Sequence, residues 1–191
     1  MERIDLRGKT CPIPVVETKR LIDSRPVEEI EILVDNMTSS ENVQRFLISC
    51  GFAVHCKEIN DEYLIHGQKG SSEIKSPEAG RKVLAFIDGE TMGRGNDELG
   101  TILMKSFLYT LNEMKPAPWR IIFINTGVKL VSEDSPMINI LKDLENTGVE
   151  IISCGTCVDY FRLKDKIGVG RISNMFEIVS SLIEASNIIK P

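Results

Sequence analysis

The sequence predicts an α/β chain in two parts: an N-terminal α+β two-layer sandwich of order β-α-β-α-β-β, then a doubly wound parallel α/β domain. Three observations predict it. Residues 29–34 alternate, with Ile30, Ile32 and Val34 on one face, as a strand with a single buried side requires. Beyond residue 80 the strands become unbroken apolar runs at 83–87, 121–124 and 149–152, the kind buried on both faces and separated by helical patterns. Between these regimes, residues 68–80 are small, polar and helix-breaking, which reads as a linker. The expected boundaries are 1–70 for the first domain, 71–80 for the linker and 81–191 for the second domain. At 191 residues and 42% apolar, the chain can bury a core of ordinary size in one domain or two.

Each element follows from its own residues. The first helix carries Val15, Val16, Leu21 and Ile22 on one side and Glu17, Lys19 and Arg20 between them. Thr38 and Glu41 are spaced as a capping box for the second helix, which places Val43, Phe46, Leu47 and Cys50 on one stripe and ends at Gly51. Two strands follow, around 52–57 and 63–66, turning at Asn60-Asp61. In the second part, Leu99, Ile102, Leu103, Phe107 and Leu111 mark one helix. Ile140, Leu141 and Leu144 mark another, with Ser135-Pro136 as its start. A helical turn at 158–164, a short strand at 167–169 and a last helix over 174–186 complete the pattern. No internal repeat is visible.

Residues 5–14, Asp-Leu-Arg-Gly-Lys-Thr-Cys-Pro-Ile-Pro, carry the most chemistry. They place Cys11 directly ahead of the first helix, which Pro12 can begin because its missing N–H would be unpaired there anyway. Free backbone N–H groups and the positive end of the helix dipole favour an anion at that position. Such a site can lower a thiol pKa from roughly 8.5 into a range of about 3.5–7.5. A packing role for a lone Cys-Pro is a reasonable alternative; the whole register of Asp5, Gly8, Cys11, Pro12 and Pro14 is more specific. This string resembles the TusA (SirA-like) family of small sulfur-relay proteins, whose signature is Cys-Pro-x-Pro at the first helix. The likeness spans about the first 70 residues. It implies that Cys11 carries sulfur as a persulfide between a donor, such as a cysteine desulfurase, and a downstream acceptor protein.

A second thiol pair, Cys154-Gly155-Thr156-Cys157, follows the third apolar run of the second part. Ligands and chemistry gather at the carboxyl ends of strands in open α/β sheets. Gly155 lets the chain turn, and the two thiols can close a disulfide, or one can resolve a modified sulfur on the other. This half resembles the DsrE/DsrF-like sulfur-handling fold. Residues 92–100 and 154–161 bring the whole chain close to the YedF family, tied to selenium and sulfur metabolism. The resemblance implies a sulfur (or selenium) carrier, with Cys154 and Cys157 as second acceptor or resolving pair, and leaves open whether the chain is itself a sulfurtransferase. Self-association through the second domain is compatible with it. The alternatives are a dithiol–disulfide oxidoreductase using Cys154 and Cys157, or a non-catalytic interaction module.

Other classes are disfavoured. A net charge of −5 with no basic tract gives no nucleic-acid surface. No apolar run reaches the roughly 20 residues of a membrane span, and the N-terminus is no signal peptide, so a cytoplasmic location is expected. The five cysteines, an odd number, argue against a secreted disulfide framework. Cys50 and Cys56 read as inward-facing packing residues. Zinc between His55, His66 and Cys56 is disfavoured because neighbouring strand residues face opposite sides. Gly93-x-Gly95 lacks the spacing of a dinucleotide or P-loop fingerprint, although such a loop could cradle an anion. No cofactor and no metal are therefore expected. With the linker at 68–80, limited proteolysis should cut there first and leave two resistant fragments; first cuts inside either domain would contradict this division.

Overall fold

The computed structural model describes residues 1–10, 12–70 and 81–191, in two compact units, Met1–Ser76 and Pro77–Pro191. The linker expected at 71–80 lies outside the described residues. In the first unit, β1 (Glu2–Asp5), α1 (Ile13–Ser24), β2 (Glu29–Val34), α2 (Met37–Ser49), β3 (Phe52–Ile59) and β4 (Glu62–Lys69) follow the expected order. The sheet runs β1-β2-β4-β3, with β1 parallel to β2 and the other neighbours antiparallel. Ile30, Ile32 and Val34 are fully buried, as their alternation requires, and pack with Val43 and Leu47 of α2 and Ile65 of β4. Leu21 and Ile22 close the same core from α1.

Two local expectations are corrected. The cap of α2 is Asn36, whose side-chain oxygen accepts from the Ser39 N–H at 2.8 Å; Thr38 is already inside the helix, so the capping box with Glu41 has no frame. Cys56 shares the helix-facing side of β3 with Val54 but is exposed, because β3 is an edge strand and Cys56 lies towards its end. Its sulfur lies 3.4 Å from Ser40 Oγ.

The second unit contains β5 (Val83–Ile87), α3 (Asp97–Glu113), β6 (Arg120–Phe123), a 3-10 helix (Asn125–Val131) and α4 (Ile138–Asn146). After these come β7 (Glu150–Cys154), α5 (Gly155–Tyr160), β8 (Arg171–Ser173), α6 (Met175–Glu184) and β9 (Asn187–Ile189). All five strands are parallel in the order β8-β7-β6-β5-β9. The chain steps outward from β5 to β8, then returns through α6 to set β9 on the far side of β5. Both faces are covered, which explains the unbroken apolar runs. Ala85, Ile87, Ile121, Phe123 and Ile151 meet Met104 and Leu108 of α3 and Leu141 and Leu144 of α4. On the other face, Leu84, Ile122, Ile152 and Cys154 meet Ile178 of α6.

The expected last strand is displaced: β8 occupies Arg171–Ser173, where it pairs with Ile152–Cys154, while Ile167 makes only a single bridge to Ser132. Gly170, at φ +73°, turns the chain between them, and an added Cβ there would lie 2.6 Å from the Ile151 carbonyl oxygen. The helix α4 starts at Ile138, two residues after Pro136, with Ser135 Oγ accepting from the Met137 N–H at 3.2 Å. The turn expected at 158–164 begins earlier, as α5 at Gly155.

Gly127 sets the 3-10 helix against the end of β5. An added Cβ would stand 2.6 Å from the Ile87 carbonyl oxygen, which belongs to a buried strand and cannot yield. The variant Gly127→Ala should lose about 1–3 kcal/mol of stability, as overpacked interiors do, measured by denaturant unfolding; an unchanged midpoint would contradict this close approach.

Candidate functional site

In the first unit the loop ahead of α1 is pinned from several directions. The Asp5 carboxylate accepts from Arg7 Nε at 2.9 Å, and the Arg7 guanidinium holds that carboxyl down to about 2. Arg7 also reaches Glu62 at 2.9 Å. Gly8 sits at φ +71°, and its N–H donates to Asp35 Oδ2 at 2.6 Å, the first cause of that carboxyl's lowered pKa. Past the motif, the Ile13 N–H donates to the Thr10 carbonyl at 3.0 Å and the Val16 N–H to the Pro12 carbonyl at 3.1 Å. Pro12 stands at the helix N-cap, Pro14 is buried in the first turn, and no described side chain caps the N-terminus. Asp5, Gly8, Pro12 and Pro14 thus shape one helix start. Cys11 itself lies outside the described residues.

In the second unit, Cys154 ends β7 and is the N-cap residue of α5, with only 2% of its surface exposed. Cys157, in the first turn of α5, is half-buried, so it is the more accessible thiol of the two. Neither is in a disulfide. The backbone N–H of Asn125, one residue beyond the neighbouring strand β6 and Ile124, donates to Cys157 Sγ at 3.1 Å. Asn125 holds a left-handed conformation, φ +49°, which Asn tolerates better than most residues. Burial is the largest influence on the Cys157 thiol and pushes its pKa up; the Asn125 N–H pulls it down, and a hydrogen bond with Cys154 raises it again. Gly155 permits the turn because a Cβ would lie 3.0 Å from the Ser173 carbonyl oxygen. Nothing in the spacing of the cysteines pointed to Asn125; the only signal was an Asn directly after an apolar strand.

Cys50 packs at the edge of the first unit's core. His55 and His66 are register partners, and His66 Nε2 lies 3.0 Å from Glu29, while Cys56 pairs with Ile65 on the opposite face. Among the described residues, no group of three or more His, Cys, Asp or Glu is placed to hold a metal. Gly93 and Gly95 both take left-handed backbone, and Asn96 after them caps α3 by accepting from the Leu99 N–H at 2.8 Å. A cavity of about 470 Å³ lies beside the 3-10 helix, lined by Glu90, Asp97, Thr126, Lys129 and Asp134, with neither cysteine in its wall. No helix of the described residues is long and apolar enough to cross a membrane.

The model of the DsrE/DsrF-like family matches residues 90–191, and that of Sulfurtransferase TusA matches residues 2–69. The chain belongs to the DsrE/DsrF-like family, with a TusA module ahead of it. This TusA–DsrE chain is 34% identical over 55 residues to a Methanocaldococcus jannaschii protein named "Putative sulfur carrier protein", covering 28% of the chain and 73% of the relative. A SirA-like protein from Desulfitobacterium hafniense is 27% identical, covering 37% of this chain and all of its own, with a TM-score of 0.34. The ychN protein of E. coli is 16% identical over 58% of the TusA–DsrE chain and 99% of its own, with a TM-score of 0.46.

The geometry at Asn125 is open to measurement. An N–H pointed at sulfur stabilises the thiolate, so losing it should raise the Cys157 pKa further above the ordinary thiol range. The rate of Cys157 alkylation against pH, followed by peptide mapping, should keep its midpoint in Asn125→Gly and move to higher pH in Asn125→Val, whose branched side chain disfavours left-handed backbone. Equal profiles for the two variants would remove Asn125 from the site.

Proposed function

We propose that this chain is a sulfur relay protein in which Cys11 takes up sulfane sulfur as a persulfide and passes it to an acceptor thiol. The observation that carries the reading is the match of residues 2–69 to the TusA model, with the Cys-Pro-x-Pro string at the start of α1. The name of the archaeal relative, and a helix start that no described side chain caps, support it. A helix N-terminus suits the role because it stabilises the thiolate that attacks a donor persulfide and that departs when the cargo moves on. The DsrE/DsrF-like unit supplies a second station at Cys157, with Cys154 beside it. Selenium could travel the same path, since a selenol equivalent of the persulfide needs the same nucleophile. Self-association through this second unit fits the reading and is supported by the apolar residues Phe176, Val179 and Ile183 exposed on α6.

The packing of Cys157 against the cluster that contains Cys154 favours one rival, a dithiol–disulfide oxidoreductase. Incubation of the full chain with a cysteine desulfurase and cysteine, followed by peptide mass mapping, separates the two. The relay reading expects one added sulfur atom on Cys11, absent from Cys11→Ser and absent from Cys50 and Cys56. A Cys11 that gains no sulfur, while Cys154 and Cys157 only cycle between thiols and disulfide, would replace the relay with redox chemistry.

A further inference from the structure

We propose that the Cys154–Cys157 pair releases its cargo as hydrosulfide: Cys157 carries the sulfane sulfur, and buried Cys154 displaces it. The proposal rests on the relay reading above and adds a product to it. Three observations assign the roles. Cys157 is half-buried while Cys154 is 2% exposed, so an incoming donor meets Cys157. Cys157 packs against the buried cluster that contains Cys154, so the nucleophile at hand for a sulfur held there is intramolecular. The Asn125 N–H, 3.1 Å from Cys157 Sγ, fixes that sulfur against the end of β7.

These positions select which sulfur is attacked. In a Cys157 persulfide the inner sulfur keeps the place of Cys157 Sγ, packed against the cluster that contains Cys154, while the outer one extends toward the more accessible side. Attack by Cys154 sulfur on Cys157 Sγ forms a Cys154–Cys157 bond and breaks the bond to the outer sulfur. That sulfur leaves with the electron pair as hydrosulfide and takes up the proton that Cys154 gives away. In sum, one persulfide and one thiol give one disulfide and one hydrogen sulfide. The sulfane sulfur is reduced by two electrons, and the two cysteine sulfurs are oxidised to the disulfide. A residue at a helix N-cap and one three positions on lie about one helical turn apart, within the roughly 4.4–6.8 Å between Cα atoms that a disulfide needs. A cellular dithiol reductant then reopens the pair for the next cycle.

Burial holds back ionisation of the Cys157 thiol before cargo arrives. The raised Cys157 pKa favours the thiol form of that residue at rest. A persulfide changes that balance, because hydrosulfide is a better leaving group than an alkyl thiolate, and exchange is faster with the better leaving group.

The test uses the full chain in a Cys11→Ser background, which removes the other proposed carrier. The protein is treated anaerobically with inorganic polysulfide and desalted, then released sulfide and the mass of each cysteine peptide are measured. The expected result is one sulfide per chain together with a Cys154–Cys157 disulfide, two hydrogen atoms lighter. Adding Cys154→Ser should abolish the release and leave one extra sulfur atom on Cys157. Cys154→Ala, apolar and suited to a buried position, should behave as Cys154→Ser does. Sulfide release that persists undiminished in both variants would overturn the proposal, as would a stable extra sulfur on Cys157 with Cys154 intact. A Cys157 that takes up no sulfur in any variant would overturn it too. The relay reading stands or falls separately, on whether Cys11 in the native sequence takes sulfur from the desulfurase.

Discussion

The parallel register of the second unit's sheet is the constraint on which the thiol site depends. Phe123 of β6 lies opposite Ser153 of β7, and Cys154 opposite Ser173 of β8. Because all strands run the same way, their carboxyl ends meet along one edge, and each connection must leave from it. The backbone just past β6 therefore reaches the first turn after β7, which is how an Asn125 N–H meets Cys157 Sγ. A slip of one residue would carry Cys154 out of the α6-side core, where it packs with Ile152 and Ile178, onto the opposite face.

That register is reinforced from the α6 side by charge. Arg120 of β6 donates to Glu150 of β7 through Nε at 2.9 Å, and also meets Ser181 of α6. Arg171 of β8 joins Glu150 to Glu177 of α6, and its guanidinium, with Ser173, holds the Glu177 carboxyl down to about 2. Bidentate guanidinium–carboxylate contacts fix direction as well as distance. Three strands and the helix that covers them are thus tied together, from the first residues of β6 and β7 to Ser173, which lies opposite Cys154.

Much of this architecture was legible because it is periodic. The alternation of Ile30, Ile32 and Val34 and the two-sided apolar runs of the second unit are direct consequences of one-faced and two-faced burial. The errors fall where a longer-range partner decides. Cys56 alternates correctly with Val54, but exposure depends on β3 being an edge strand, which local sequence does not encode. Residues 167–169 are as apolar as a strand, yet the left-handed Gly170 places the pairing segment after them. Three residues of β9, Asn187–Ile189, become a strand only because α6 returns them to β5. At the site, the Cys-x-x-Cys spacing marked the thiols, but the backbone donor at Asn125 comes from a different strand, and a backbone group has no residue signature.

The two units meet the requirements of a reactive sulfur in opposite ways. At the first helix the motif offers an anion-favouring N-terminus, which suits the nucleophilic carrier thiol of the proposed relay. At the second site burial dominates and keeps Cys157 protonated, while a single N–H offsets part of that penalty. A site of the second kind is poor at seizing sulfur from a stable donor, yet suited to receiving an activated persulfide next to a buried thiol. On the relay reading proposed above, this asymmetry sets the direction of transfer. On that reading sulfur is captured at the helix N-terminus that favours a thiolate, and it ends where a buried neighbouring thiol can close behind it.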